Sequence, residues 1–207
     1  LTPTKRSFLF GGSFNPVHIA HIQLVEYLLE QYPADQIVVM PAFVPPHKTE
    51  SELIPFRHRY SMLNIAFGPL MKKHPNLRIS RLEKKLPTPN YTYKTLDYLS
   101  SNCRNANWNL VMGYDMYLSL PRWKNAHEIM KKYPIVVFAR QEPIETPPVF
   151  EELGFPPQFL KNPLWPVSST EIREAVRSDK PGSEAVLPNF LPESVIEYMA
   201  RNQLLKK

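Results

Sequence analysis

Short runs of apolar, often β-branched residues alternate along this chain with stretches whose apolar positions recur at helical spacing. SFLF (7–10), QIVVM (36–40), LRISRL (77–82), NLVMG (109–113) and PIVVFA (134–139) have the length and composition of strands. Residues 18–32 carry apolar side chains at 19, 22, 25, 28 and 29, the stripe of an amphipathic helix. Residues 56–67 and 92–100 read as further helices, and 128–133 as the end of another. Strand and helix in turn at this spacing predict βαβ units. The expected fold is α/β: a Rossmann-like doubly wound parallel sheet with helices on both faces. After Arg140 the chain turns proline-rich, then closes with two helices expected to start near Ser168 and Pro192. One domain is expected over 1–207, with its sheet portion in 1–140 and a C-terminal helical segment in 166–207.

In such sheets a ligand sits at the carboxyl ends of the strands, where the strand order reverses. The first strand runs into GGSFNPVHIAHI (11–22). Gly11 and Gly12 allow backbone to approach a ligand closely. Asn15 is placed to cap the next helix, with Pro16 at its first position. His18 and His21 then share a face one turn apart, beside the free amides and positive dipole end of a helix start. A phosphate fits there. Structural histidines would fit the same stretch. GxGxxG and GxxxxGK[ST] are both missing, as is the glutamate that accompanies a helical zinc pair. A second helix start, PVSSTEIREAV (166–176), pairs Ser168 with Glu171 in the pattern of a capping box. Ser169 and Thr170 add hydroxyls, and Arg173 a positive charge one turn in. Two anion-ready helix starts in one domain suit a triphosphate.

Charge and cysteine usage narrow the picture. Lysine and arginine number 25 against 19 acidic residues, a net charge of +6, and the excess is scattered in pairs rather than runs. That suits an enzyme of phosphate-bearing metabolites, or a solvated surface, and no nucleic-acid partner is expected. One cysteine, Cys103, leaves no intramolecular disulfide and no cysteine zinc site, so a cytoplasmic location is expected. No apolar run is long enough to cross a bilayer, and the one in LTPTKRSFLF is too short for a signal peptide.

GGSFNPVHIAH resembles the (T/H)xGH signature of the nucleotidyltransferase superfamily, and VSSTEIR its distal ISSTxIR motif. VPPHK (44–48), HRYSML (58–63), NYTYKTLDYL (90–99), GYDMYLSLPRW (113–123), VVFAR (136–140) and LPESVIEYM (191–199) follow in the order seen in bacterial nicotinate-mononucleotide adenylyltransferases. The resemblance covers nearly the whole chain. It implies adenylyl transfer from ATP to nicotinate mononucleotide, giving nicotinate adenine dinucleotide and pyrophosphate. It implies His18, His21 and Lys48 at the reacting phosphates. Gly11, Gly12, Ser13, Ser168, Ser169, Thr170 and Arg173 would hold the ATP phosphates, Gly113 and Asp115 the ribose, and Arg140 the ligand edge of its strand. Thr92, Trp123 and Lys124 would meet the pyridine. Mg²⁺ would arrive with ATP, because no carboxylate cluster provides a cage.

This chain departs from the pattern at Ala20, where glycine is usual and slight crowding of the phosphates is expected, and at Lys124, where an aromatic is common. Asn90 replaces a serine. Nicotinamide mononucleotide or another phosphorylated acceptor such as phosphopantetheine remains open for the same chemistry. A basic nucleic-acid-binding module and a regulator without catalysis are the rivals of other classes. Assembly as a monomer or a homo-oligomer is open.

Overall fold

The computed structural model describes residues 5–47, 49, 52–139, 156–177 and 187–205. Six parallel strands form one sheet in the order β3-β2-β1-β4-β5-β6. They are β1 (Lys5–Gly12), β2 (Gln36–Pro41), β3 (Leu77–Ile79), β4 (Ala106–Gly113), β5 (Ile135–Phe138) and β6 (Gln158–Phe159). The helices are α1 (Ile19–Gln31), α2 (Phe56–Lys73), α3 (Thr92–Asn102), α4 (Tyr114–Ser119), α5 (Ala126–Lys132), α6 (Ser169–Arg177) and α7 (Glu193–Arg201).

Side chains on a strand alternate between faces, and each face here meets its own core. Phe8, Phe10, Ile37, Val39, Val111 and Val136 pack under α1, α2, α6 and α7. Leu9, Val38, Leu110, Met112, Ile135 and Val137 pack under α3, α4 and α5. Leu9 sits in register between Val38 and Leu110, so three aliphatic side chains cross the sheet centre in one row. Burial on both faces explains why these strands read as unbroken apolar runs. The order reverses between β1 and β4, and the chain leaves both at the same edge.

The sequence reading needs three corrections. Asn15 does not cap α1 and Pro16 is not its first residue: the helix begins at Ile19 with His18 at the cap position. Asn15 is instead buried, its amide accepting from Ile54 N–H at 2.8 Å and donating to the Glu52 carbonyl at 2.9 Å. Two backbone groups of one distant loop outcompete a local cap. Helix α2 runs on to Lys73 through Gly68 and Pro69, a pair that reads as a breaker, because Leu70 beyond them is buried in the core. The third strand stops at Ile79, and Leu82–Lys85 form a 3₁₀ turn.

Candidate active site

A cavity of about 750 Å³ opens where β1 and β4 end, within the size range of small-molecule sites. Gly11, Gly12 and Ser13 form one wall, with His18 and His21 behind them. Gly113 and Asp115 at the start of α4, and Trp123 and Lys124 after the 3₁₀ turn Leu120–Arg122, form another. Thr92 enters from α3, and Ser168, Ser169, Thr170 and Arg173 from the start of α6. Every sequence-predicted site residue within the described part of the chain therefore lines one cavity. Lys48 and Arg140 lie outside the described residues.

The two histidines are held against each other. Their rings stack with centroids 3.6 Å apart at 28°. The His18 amide donates to His21 Nδ1 at 3.2 Å, so that nitrogen is an acceptor and the proton of a neutral His21 sits on Nε2. A donor is thereby prepared on the other ring nitrogen for as long as the pair keeps this alignment. Ala20 between them is buried in the core under α1 and does not line the cavity, so its methyl causes no crowding there.

The two glycines have different reasons. A Cβ on Gly12 would come within 3.2 Å of the Phe14 ring, whereas one on Gly11 would meet nothing within 4 Å. The space beside Gly11 is the cavity itself. Alanine suits a strand better than glycine by about 0.5–1 kcal/mol. Gly11→Ala is therefore expected to raise the urea midpoint slightly while raising several-fold the KM for a substrate that enters this space. Unchanged KM would show that no ligand uses that space.

At the second helix start the capping box forms as expected: Ser168 N–H and Oγ both donate to the Glu171 carboxylate at 2.8 Å, and the Glu171 amide donates to Ser168 Oγ at 3.2 Å. The other groups dock α6 onto the loop before α1. Ser169 Oγ donates to the Pro16 carbonyl at 2.9 Å and Arg173 Nη1 to the Asn15 carbonyl at 2.8 Å. Burial holds the Arg173 guanidinium below its ordinary pKa. Both serine hydroxyls are thus engaged within the protein, and Thr170 Oγ1 accepts from Arg173 Nη2 at 3.1 Å.

At the far end, Lys124 Nζ lies 4.9 Å and Lys94 Nζ 5.8 Å from the centre of the Tyr91 ring, within cation–π range. Trp123 is half-buried, its indole N–H donating to Ser119 Oγ at 3.1 Å. It serves both as packing for the core under α5 and as cavity wall. Thr92 is the first residue of α3 and caps nothing.

Sequence reasoning missed Glu83 and the part played by Asn90, both of which line the cavity. Glu83 is buried, with Oε2 accepting from Phe43 N–H at 3.1 Å and Oε1 from Thr95 Oγ at 3.0 Å. Burial pushes its carboxyl up from the ordinary value, against the opposing pull of those bonds and of Arg59. Asn90 exchanges bonds with both backbone groups of Val44, accepting from the amide through Oδ1 and donating its own N–H to the carbonyl, each at 2.9 Å. The charged residues of 81–85 read as a solvated stretch, and nothing in their spacing signals a buried carboxylate. His47 also lines the cavity.

Among the described residues no three His, Cys, Asp or Glu side chains converge as a metal site, and no helix is long and apolar enough to cross a membrane.

A family model described as cytidylyltransferase-like matches residues 9–175. Two proteins named "probable nicotinate-nucleotide adenylyltransferase" are each 32% identical to this chain. The one from Lactococcus lactis aligns over 98% of this chain and 96% of its own length. The one from Caldicellulosiruptor saccharolyticus aligns over 96% and 98%. The nicotinic acid mononucleotide adenylyltransferase of Plasmodium falciparum, solved in complex with NaAD, superposes with a TM-score of 0.78 over 97% of both chains at 16% identity, a likeness of fold. With the match spanning both histidines and the start of α6, the chain belongs to the cytidylyltransferase-like family and, within it, to the nicotinate-nucleotide adenylyltransferases.

Proposed function

We propose that this protein transfers the adenylyl group of ATP to nicotinate mononucleotide, releasing pyrophosphate and forming nicotinate adenine dinucleotide. The observation that carries this reading is the meeting of two helix starts, a stacked histidine pair and an aromatic, lysine-bearing wall around one cavity. A phosphate oxygen of the mononucleotide attacks the α-phosphorus of ATP, and the bond from that phosphorus to the bridging oxygen of the β-phosphate breaks as pyrophosphate leaves. The nucleophile is already an anion at neutral pH, so placement and charge stabilisation are what the protein supplies.

His21 donates through Nε2 to a phosphate oxygen, and His18 lies stacked on it at the head of α1. The amides opening α6, Thr170 and Arg173 take the β and γ phosphates at the positive end of that helix. Gly11 lets the backbone of β1 approach the nucleotide, and Asp115 at the start of α4 takes the ribose hydroxyls. Trp123 and Tyr91 bracket the pyridine, with Thr92 reaching its carboxylate. Mg²⁺ held by the triphosphate itself would neutralise phosphate charge, because the converging donors needed for a protein cage are missing from the described residues.

The test is pyrophosphate release from Mg-ATP with nicotinate mononucleotide, nicotinamide mononucleotide and phosphopantetheine in parallel. Release with the acid far ahead of the amide is the expected result. Silence with all three from folded protein overturns it. The ammonium of Lys124 adds to the discrimination, since only the acid bears a carboxylate on the pyridine ring for it to attract. Lys124→Met is expected to lower the acid-over-amide ratio of kcat/KM by roughly tenfold, with the KM for ATP unmoved. An unchanged ratio would assign the discrimination to the backbone and Thr92.

A further inference from the structure

Phe14 is a bulky residue in the left-handed region, at φ 46°, where such side chains are outliers that persist only when their surroundings over-determine them. Three contacts do so here. Gly12 leaves the space that the ring needs. The ring lies edge-on between Phe10, at 5.3 Å and 90°, and His21, at 4.9 Å and 64°. Arg59 Nη1 donates at 2.8 Å to the carbonyl of Ser13, which belongs to the peptide leading into Phe14.

Arg59 comes from the first turn of α2 and is 1% exposed. It does not line the cavity and is out of reach of a substrate there. Its other donors go to the carbonyls of Ile54 at 2.8 Å and Phe43 at 3.4 Å, on the two sides of the β2–α2 connection. One guanidinium therefore fixes that connection and the histidine-bearing loop relative to each other. A planar fork can hold carbonyls in three directions, and an ammonium on a flexible stem cannot.

We propose that Arg59 is a positioning residue for the histidine pair. Its guanidinium fixes the Ser13–Phe14 peptide, the Phe14 ring fixes the face of His21, and His21 sets the stack with His18. This rests on the adenylyl-transfer reading for its kinetic test, and on the histidines alone for a second, spectroscopic one.

The kinetic test is a double-mutant cycle on kcat for pyrophosphate release. Arg59→Lys is expected to lower kcat about 30-fold, with the KM for ATP changed less than about threefold. In the His21→Ala background the same change is expected to lower kcat less than about threefold, because the group it positions is gone. Equal losses in both backgrounds, or undiminished kcat in folded Arg59→Lys, overturn the proposal. Should Arg59→Lys fail to fold, Phe14→Leu carries the same cycle with the same expectations. It keeps an apolar side chain and removes the ring edge from His21. The spectroscopic test reads the ¹⁵N shifts of His21, expected as the Nε2–H tautomer in the wild type and as a tautomer mixture in Arg59→Lys or Phe14→Leu. Unmoved shifts in both variants overturn the proposal without any turnover. A wild type that releases no pyrophosphate while these shifts move as expected would refute the reaction and leave the positioning intact.

Discussion

His18→Ala is expected to lower kcat for pyrophosphate release by roughly 10²–10³-fold, the usual consequence of losing one donor aimed at transition-state charge. His18 heads α1, where amides that have no partner within the helix give the local field a positive sign. The residue is 1% exposed and stands in the wall of the cavity, stacked on His21. The substitution keeps the backbone amide that bonds His21 Nδ1. His21 therefore keeps its tautomer, and the loss reports the His18 ring rather than collapse of the pair. On the proposed reading ATP is held mainly by α6 and the β1 end, so the KM for ATP is expected to change little. A folded variant that turns over at near wild-type rate would remove His18 from the mechanism.

How far this site could be read in advance depended on whether a residue acts locally. The four central strands β1, β2, β4 and β5 were legible because burial on both faces leaves an unbroken apolar run, and the cap box at Ser168 and Glu171 because both partners lie within one turn. The two-residue β6 has no such run to offer. Asn15 was misread for the same reason in reverse. A polar side chain before a helix suits a cap, and only the folded chain brings Glu52 and Ile54 beside it. Arg59 and Asn90 stand inside motifs of the resemblance, yet neither their burial and partners nor those of Glu83 could be read from the sequence. Their partners lie between five and 46 residues away, and a lone arginine in a helix or a glutamate between lysines reads as solvated surface. Most of the cavity lining was legible through motif resemblance, whereas Glu83 within that lining and Arg59 behind it were not.

Those buried groups are where stability is most exposed. Arg59→Met, which keeps a long apolar stem, is expected to cost about 3 kcal/mol in urea unfolding at pH 7. The carbonyls of Ser13 and Ile54 lose their 2.8 Å donor and that of Phe43 its weaker one, at a buried position. Part of the loss is offset, because burying the guanidinium is itself unfavourable; burial pushes its pKa down to about 10. Glu83 makes the deficit depend on pH. Its folded pKa already lies above the ordinary 4.5, so its ionisation lowers stability as pH rises through that interval, and the attraction of Arg59 limits the rise. Without Arg59 the gap between folded and unfolded values widens. The deficit of Arg59→Met is therefore expected to be smaller near pH 4.5 and to grow toward pH 7, with m unchanged. A loss below about 1 kcal/mol at pH 7, or one that shrinks as pH rises, would show that the carbonyls find other donors and that Glu83 does not sense the guanidinium.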